Sequence, residues 1–91
     1  MVRYMYLAAA LCLAGPALAQ PPDTVFLEQL TWDEARDAIA AGKTTIIIPT
    51  GGTEQNGPHM ALGKHNARVT ANANTIALRL GNALVAPTMA Y

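Results

Sequence analysis

Serine is absent from this 91-residue chain, and cysteine occurs once, at Cys12. A serine nucleophile is therefore excluded within it, and so is thiol chemistry anywhere beyond residue 12. Charge of either sign is scarce. Six Lys or Arg balance six Asp or Glu, and charged residues make up 13% of the chain, so no basic patch points to nucleic acid and no acidic tail to a solvated partner segment. Glu54 is the one acidic side chain after Asp37. There is no His-Glu-x-x-His, no internal repeat and no low-complexity stretch.

The first residues have the pattern of an export signal. Arg3 gives a positive start, Tyr4 to Ala14 is an uncharged and mainly apolar run, and Gly15-Pro16 breaks it. Ala17-Leu18-Ala19 supplies a small-x-small cleavage site. Residues 1–19 are therefore expected to be a signal peptide, with an exported product, periplasmic or secreted, that starts at Gln20. An uncleaved anchor fits less well, because the run is short for a membrane span and is interrupted. With Cys12 inside the signal, the remainder uses no disulfide although it enters an oxidising compartment. A chain of this size without disulfides can just support one small core.

Residues 20–30 contain Pro21-Pro22 and read as an extended leader to a unit at 31–91. Thr31-Trp32-Asp33-Glu34 has capping-box spacing, which predicts a helix over 32–41. Trp32, Ala35 and Ile39 would share one face, and Gly42 would stop the helix. Thr44 to Ile48 is β-branched without alternation and predicts a strand covered on both faces, as in a parallel sheet. Asn66 can cap a helix over 67–80 with Val69, Ala73, Ile76, Ala77 and Leu80 as its apolar stripe, followed by Gly81. Residues 82–86 predict a second strand, parallel to the first through a right-handed crossover. The fold class is thus α/β, in the order helix, strand, loop, helix, strand. Two such strands leave open edges and half-covered faces, which suggests the front part of a larger domain.

The loop 49–66 carries the chemistry. Its turn formers are Gly51, Gly52, Gly57, Pro58 and Gly63, and among them stand Glu54, Asn56, His59 and His65. It leaves the carboxyl end of the first strand, where ligands bind in open α/β sheets. Taken alone, Glu54 is open to three readings: metal ligand, general base or solvated surface charge. His59 and His65 are six apart, which matches no helical zinc spacing, and each alone is more often structural than ligating. Asn56-Gly57 is also a strong turn signal. Gly63-Lys64 has the end of a phosphate-loop pattern, but His65 stands where Ser or Thr is needed.

The stretch from Ile48 to Gly63, with Glu54-Gln55-Asn56-Gly57-Pro58-His59 at its centre, resembles the creatininase (creatinine amidohydrolase) family. In that family a strand typically ends in Pro-x-Gly-Ser/Thr-x-Glu-Gln-His-Gly-Pro-His and runs on to Thr-Asp. Thr31-Trp32 resembles its entry to the first helix, and Val85-Ala86-Pro87 and Tyr91 its next strand and the exit from it. The resemblance implies a parallel-sheet α/β fold, of which residues 31–91 would be an incomplete N-terminal portion, and possible homo-oligomers. It also implies metal-dependent hydrolysis of cyclic or linear C–N amide bonds in a small-molecule substrate, with zinc or manganese. Nucleic acid is not an expected partner, nor is a membrane once the signal is cleaved.

Mapped by position, Glu54 matches the family's first metal ligand. Asn56 stands where a ligating His is usual, His65 where the second carboxylate is usual, and Lys64 replaces the Thr before it. A neutral imidazole offers one lone pair and bridges two cations poorly, and an amide oxygen is a weak ligand for zinc or manganese. The expected metal ligands are therefore Glu54 and His65, with one ion rather than two. Asn56 and His59 are expected to contact substrate or orient the loop. No further catalytic residue is assigned. The competing expectation is a non-catalytic binding or pseudoenzyme domain of the same fold.

Overall fold

A computed structural model describes residues 22–91; the signal sequence expected at 1–19 lies outside the described residues. The order is α1 (Trp32–Ala40), β1 (Thr45–Ile47), α2 (Lys64–Leu80) and β2 (Ala83–Val85). β1 and β2 pair in parallel, with Thr45 opposite Ala83, Ile46 opposite Leu84 and Ile47 opposite Val85. Parallel neighbours need a crossover of a dozen or more residues, which α2 and the loop before it provide.

β2 is the centre of the fold. Successive backbone groups on a strand point to opposite edges. Ala86 N–H donates to Ile47 O on the β1 side, and Val85 N–H donates to Val25 O on the other. Phe26 forms a parallel bridge with Val85 there. Part of the stretch expected as a leader thus borders the sheet: Val25 is buried, and Leu27–Gln29 forms a 3-10 turn. Flanked on both edges, all three β2 residues are buried. α2 covers one face of β2 through Ala73 and Ala77, whose small side chains let the helix approach closely, and the core joins them to Val25, Ala83 and Val85.

α1 begins as the capping box predicts. Glu34 N–H donates to Thr31 Oγ1 at 3.3 Å, and Thr31 N–H donates to Glu34 Oε1 at 2.9 Å. Its expected apolar face is not buried, since Trp32 is 76% and Ile39 53% exposed. Trp32 instead lies under the Arg36 guanidinium, 4.9 Å from the ring centre.

Three expectations need correction. β1 is shorter than residues 44–48 and is not covered on both faces. Thr45, Ile46 and Ile48 are exposed and Ile47 half-buried, because β1 is the edge strand of the described sheet and α2 packs over β2. The second helix starts at Lys64, not 67. Its N-cap is Gly63, and Asn66 lies inside the first turn, where its side chain cannot cap. Of the expected stripe, Ala73 and Ala77 are buried and Val69 is half-buried, while Ile76 and Leu80 are exposed. Gly81 does end α2 in the left-handed region, at φ 77°. Among the described residues, no helix is long and apolar enough to cross a membrane.

The cap gives a direct test. Thr31→Ala removes the acceptor for Glu34 N–H and is expected to cost about 1 kcal/mol. A lower denaturation midpoint with an unchanged slope in urea would register it. The hydroxyl of Thr31 is also the main reason the Asp33 carboxyl is held below its ordinary range, so Asp33 is expected to titrate higher in the same variant.

Candidate metal loop

The loop after β1 begins as a continuation of the sheet. Met89 N–H donates to Pro49 O and Gly51 N–H to Met89 O, each at 2.8 Å, and Thr53 N–H donates to Tyr91 O at 2.7 Å. A parallel bridge joins Thr50 to Met89, and the Thr53 hydroxyl also donates to Tyr91 O. Residues 49–53 are therefore ordered by the segment that follows β2, although glycine-rich sequence alone suggests freedom. This brings Glu54 to the carboxyl end of the sheet. The chain then turns back: Gly57, at φ 90°, donates its N–H to Gln55 Oε1 at 2.8 Å, and a turn through Pro58 and His59 follows.

Because α2 starts at Lys64, His65 is a helical residue and not a loop residue. Its Nε2 lies 2.7 Å from Glu54 Oε1. Lys64 Nζ donates to the main-chain oxygen of Glu54, also at 2.7 Å. Two consecutive residues of one helical turn thus hold Glu54, one by its backbone and one by its carboxylate. The next residue, Asn66, turns its Oδ1 towards Gly51, where a Cβ would collide with it; that oxygen is buried and has no described partner. At Gly52 a Cβ would lie 2.5 Å from Glu54 Oε2, so a side chain there would displace the carboxylate.

The electrostatics follow from this packing. The Glu54 carboxyl is held below its ordinary range, chiefly by a hydrogen bond from its own backbone N–H; desolvation opposes this, and the charges of His65 and Lys64 add to the lowering. Glu54 therefore stays ionised through the neutral range. The first turn of α2 carries no acid and its N-cap has no side-chain bond, so the Glu54 carboxylate supplies the negative charge favoured at that end.

Of the four residues singled out in the sequence, the fold brings Glu54 and His65 into contact. Asn56 and His59 are exposed, and neither makes a side-chain hydrogen bond to another described residue; the His59 ring packs against Gly57, within 3.0 Å of where a Cβ would stand. Among the described residues, no three His, Cys, Asp or Glu converge as a metal cluster. Lys64, in sequence only a departure from the family pattern, proves to be part of the site. Its signal was local: a lysine at a helix N-terminus opposes the helix dipole and needs a nearby acceptor.

The sequence model of the creatininase family, creatinine amidohydrolase, matches residues 28–91. The chain belongs to the creatininase family. It is 38% identical over 68 residues to creatinine amidohydrolase of Pseudomonas putida, covering 75% of this chain and 26% of that protein. Among solved structures it is similar to a creatininase variant of the Zn-Zn type, with TM-score 0.69 and 37% identity over 77% of this chain and 27% of that one. It is also similar to a manganese creatininase, with TM-score 0.68 and 38% identity over 75% of this chain and 26% of that one. The chain spans about a quarter of the length of these creatininases. Both of these solved creatininases are metal forms, one of the Zn-Zn type and one with manganese.

Gly52→Ala should push Glu54 off His65. In the wild-type chain, Glu54→Gln is expected to shift the ring nitrogen signals of His65 in NMR, and in the Gly52→Ala background it is expected to leave them unchanged. Acid should act in the same direction. The depressed value for Glu54 means that the contact is complete above the ordinary carboxylate range and is lost as the pH falls through the folded value.

Proposed function

We propose that this chain carries the strand-end metal loop of a creatininase-type amidohydrolase that acts on cyclic or linear C–N amide bonds of small molecules. The observation that carries the reading is the 2.7 Å contact between Glu54 and His65 at the carboxyl end of the parallel strands. One carboxylate oxygen and one imidazole nitrogen on neighbouring elements suit zinc or manganese, so the donor chemistry fits the family's metal as part of a ligand set. One ion is proposed rather than two, because neither Asn56 nor His65 offers a bridging carboxylate. When bound, a divalent ion would polarise the amide carbonyl and acidify a water.

The chain's own groups have separate tasks. Glu54, ionised at neutral pH, supplies the anionic ligand. His65 presents Nε2 to Glu54, and that nitrogen must be free of its proton to ligate, so metal affinity falls as the pH is lowered. Asn56 and His59, exposed beside the site, are free to hydrogen-bond substrate or water. Catalytic zinc usually takes three protein ligands. Two converge here, so this chain alone is proposed to bind metal without turning over substrate. The lack of a third converging ligand among the described residues equally favours a non-catalytic binding domain, as does the replacement of family ligands at 56 and 65. The protein is proposed to be exported through residues 1–19 and to act outside the cytoplasm, and homo-oligomers are proposed from family membership.

Titration of the chain with zinc, followed calorimetrically, tests the reading. One ion per chain is expected, with affinity falling at least about a hundredfold in Glu54→Ala and in His65→Ala. Residues that merely support ligands already cost ten- to a hundredfold when removed. Binding unchanged in both variants would exclude the site.

A further inference from the structure

Lys64 is the feature of the loop that the proposed function leaves without a task. It opens α2, where the helix dipole is positive and a cation is disfavoured. It is half-buried, and its ammonium group is held at 2.7 Å by the Glu54 carbonyl. Glu54, whose main chain it grips, is the one carboxylate in contact with His65. Three sources of positive charge therefore meet at one residue, Glu54: the N-terminal end of α2, the Lys64 ammonium and the ring of His65 whenever it is protonated. Lys64 is the permanent one, and its hydrogen bond to the Glu54 main-chain oxygen favours the position beside the loop.

We infer that Lys64 is a specificity-determining residue of this loop, a built-in cation that weakens the hold of the Glu54–His65 pair on a divalent ion. The inference rests on the metal reading above. A fixed single charge several ångströms from a doubly charged ion, in a largely solvated setting, costs about three- to tenfold in affinity. The same charge favours a ligand with a negative or carbonyl oxygen turned towards α2. A Lys64-bearing site thus trades metal affinity for attraction to the oxygen end of an amide substrate. The repulsion is between partly exposed charges, so salt screens it.

The test compares zinc affinity in the wild-type chain, Lys64→Gln and Lys64→Arg, each with and without Glu54→Ala, at low ionic strength and in about 0.5 M salt. Gln keeps a hydrogen-bond donor for the Glu54 carbonyl and removes the charge; Arg keeps both. Lys64→Gln is expected to bind zinc about three- to tenfold more tightly than wild type at low salt. That advantage should shrink towards none in high salt, while Lys64→Arg stays within about twofold of wild type. Circular dichroism checks that each variant keeps its helices. Equal or weaker binding by Lys64→Gln, or matching behaviour of the Gln and Arg variants, overturns the inference. If that happens while binding still depends on Glu54, the metal reading stands. Binding that ignores Glu54→Ala, or no binding in any variant, overturns the metal reading and the inference with it.

Discussion

The parallel pairing of Thr45–Ile47 with Ala83–Val85 is the constraint from which the rest of the fold follows. Two parallel strands cannot be joined by a tight turn, so the chain must leave the end of β1, travel the length of the sheet and re-enter at the start of β2. α2 makes that return journey and packs on β2 with alanines, which sets it close to the sheet. The loop that feeds α2 is then forced to lie beyond the carboxyl ends of both strands. Its first residues find backbone partners at Met89 and Tyr91, and its last residues become the first turn of the helix. Glu54 and His65 meet because one is at the end of the sheet and the other at the start of the helix that leaves it.

The charge balance of the site follows from the same geometry. A helix N-terminus faces the loop, and here it opens with lysine and histidine instead of an acid. Glu54 fills the place an acidic first-turn residue would otherwise take. The Glu54 carboxylate faces the His65 imidazole and its main-chain oxygen the Lys64 ammonium group, so much of the compensation is already internal. Glycine at 51 and 52 is what allows the approach, since side chains there would strike Asn66 and Glu54.

What the sequence made legible was local or pairwise. The Thr31–Glu34 box was readable because both partners sit within one turn, and the left-handed stop at Gly81 because only the backbone of α2 matters to it. The parallel order was readable from two apolar runs with a helix between them. Burial was not. Ile39, Ile46, Ile48, Ile76 and Leu80 have the residue types of a core yet stand open, because side-chain type records what a position can bury against and not whether an element is there to cover it. α2 starts three residues before the helix that Asn66, a good N-cap by type, would cap. The turn at Leu62-Gly63 had already begun the helix, which moved His65 onto a rigid element and drew Lys64 into the site. The order of residues 49–53 was equally hidden, because their partners lie almost forty residues away.

The central claim is that the β1 end and the first turn of α2 form one metal-binding unit through Glu54 and His65. X-ray absorption at the zinc edge of the metal-loaded chain tests it most directly. The account predicts a shell of oxygens and one imidazole nitrogen, with the nitrogen at about 2.0–2.1 Å and its outer-ring scattering lost in His65→Ala. A shell without imidazole scattering, or one that His65→Ala leaves unchanged, would contradict it.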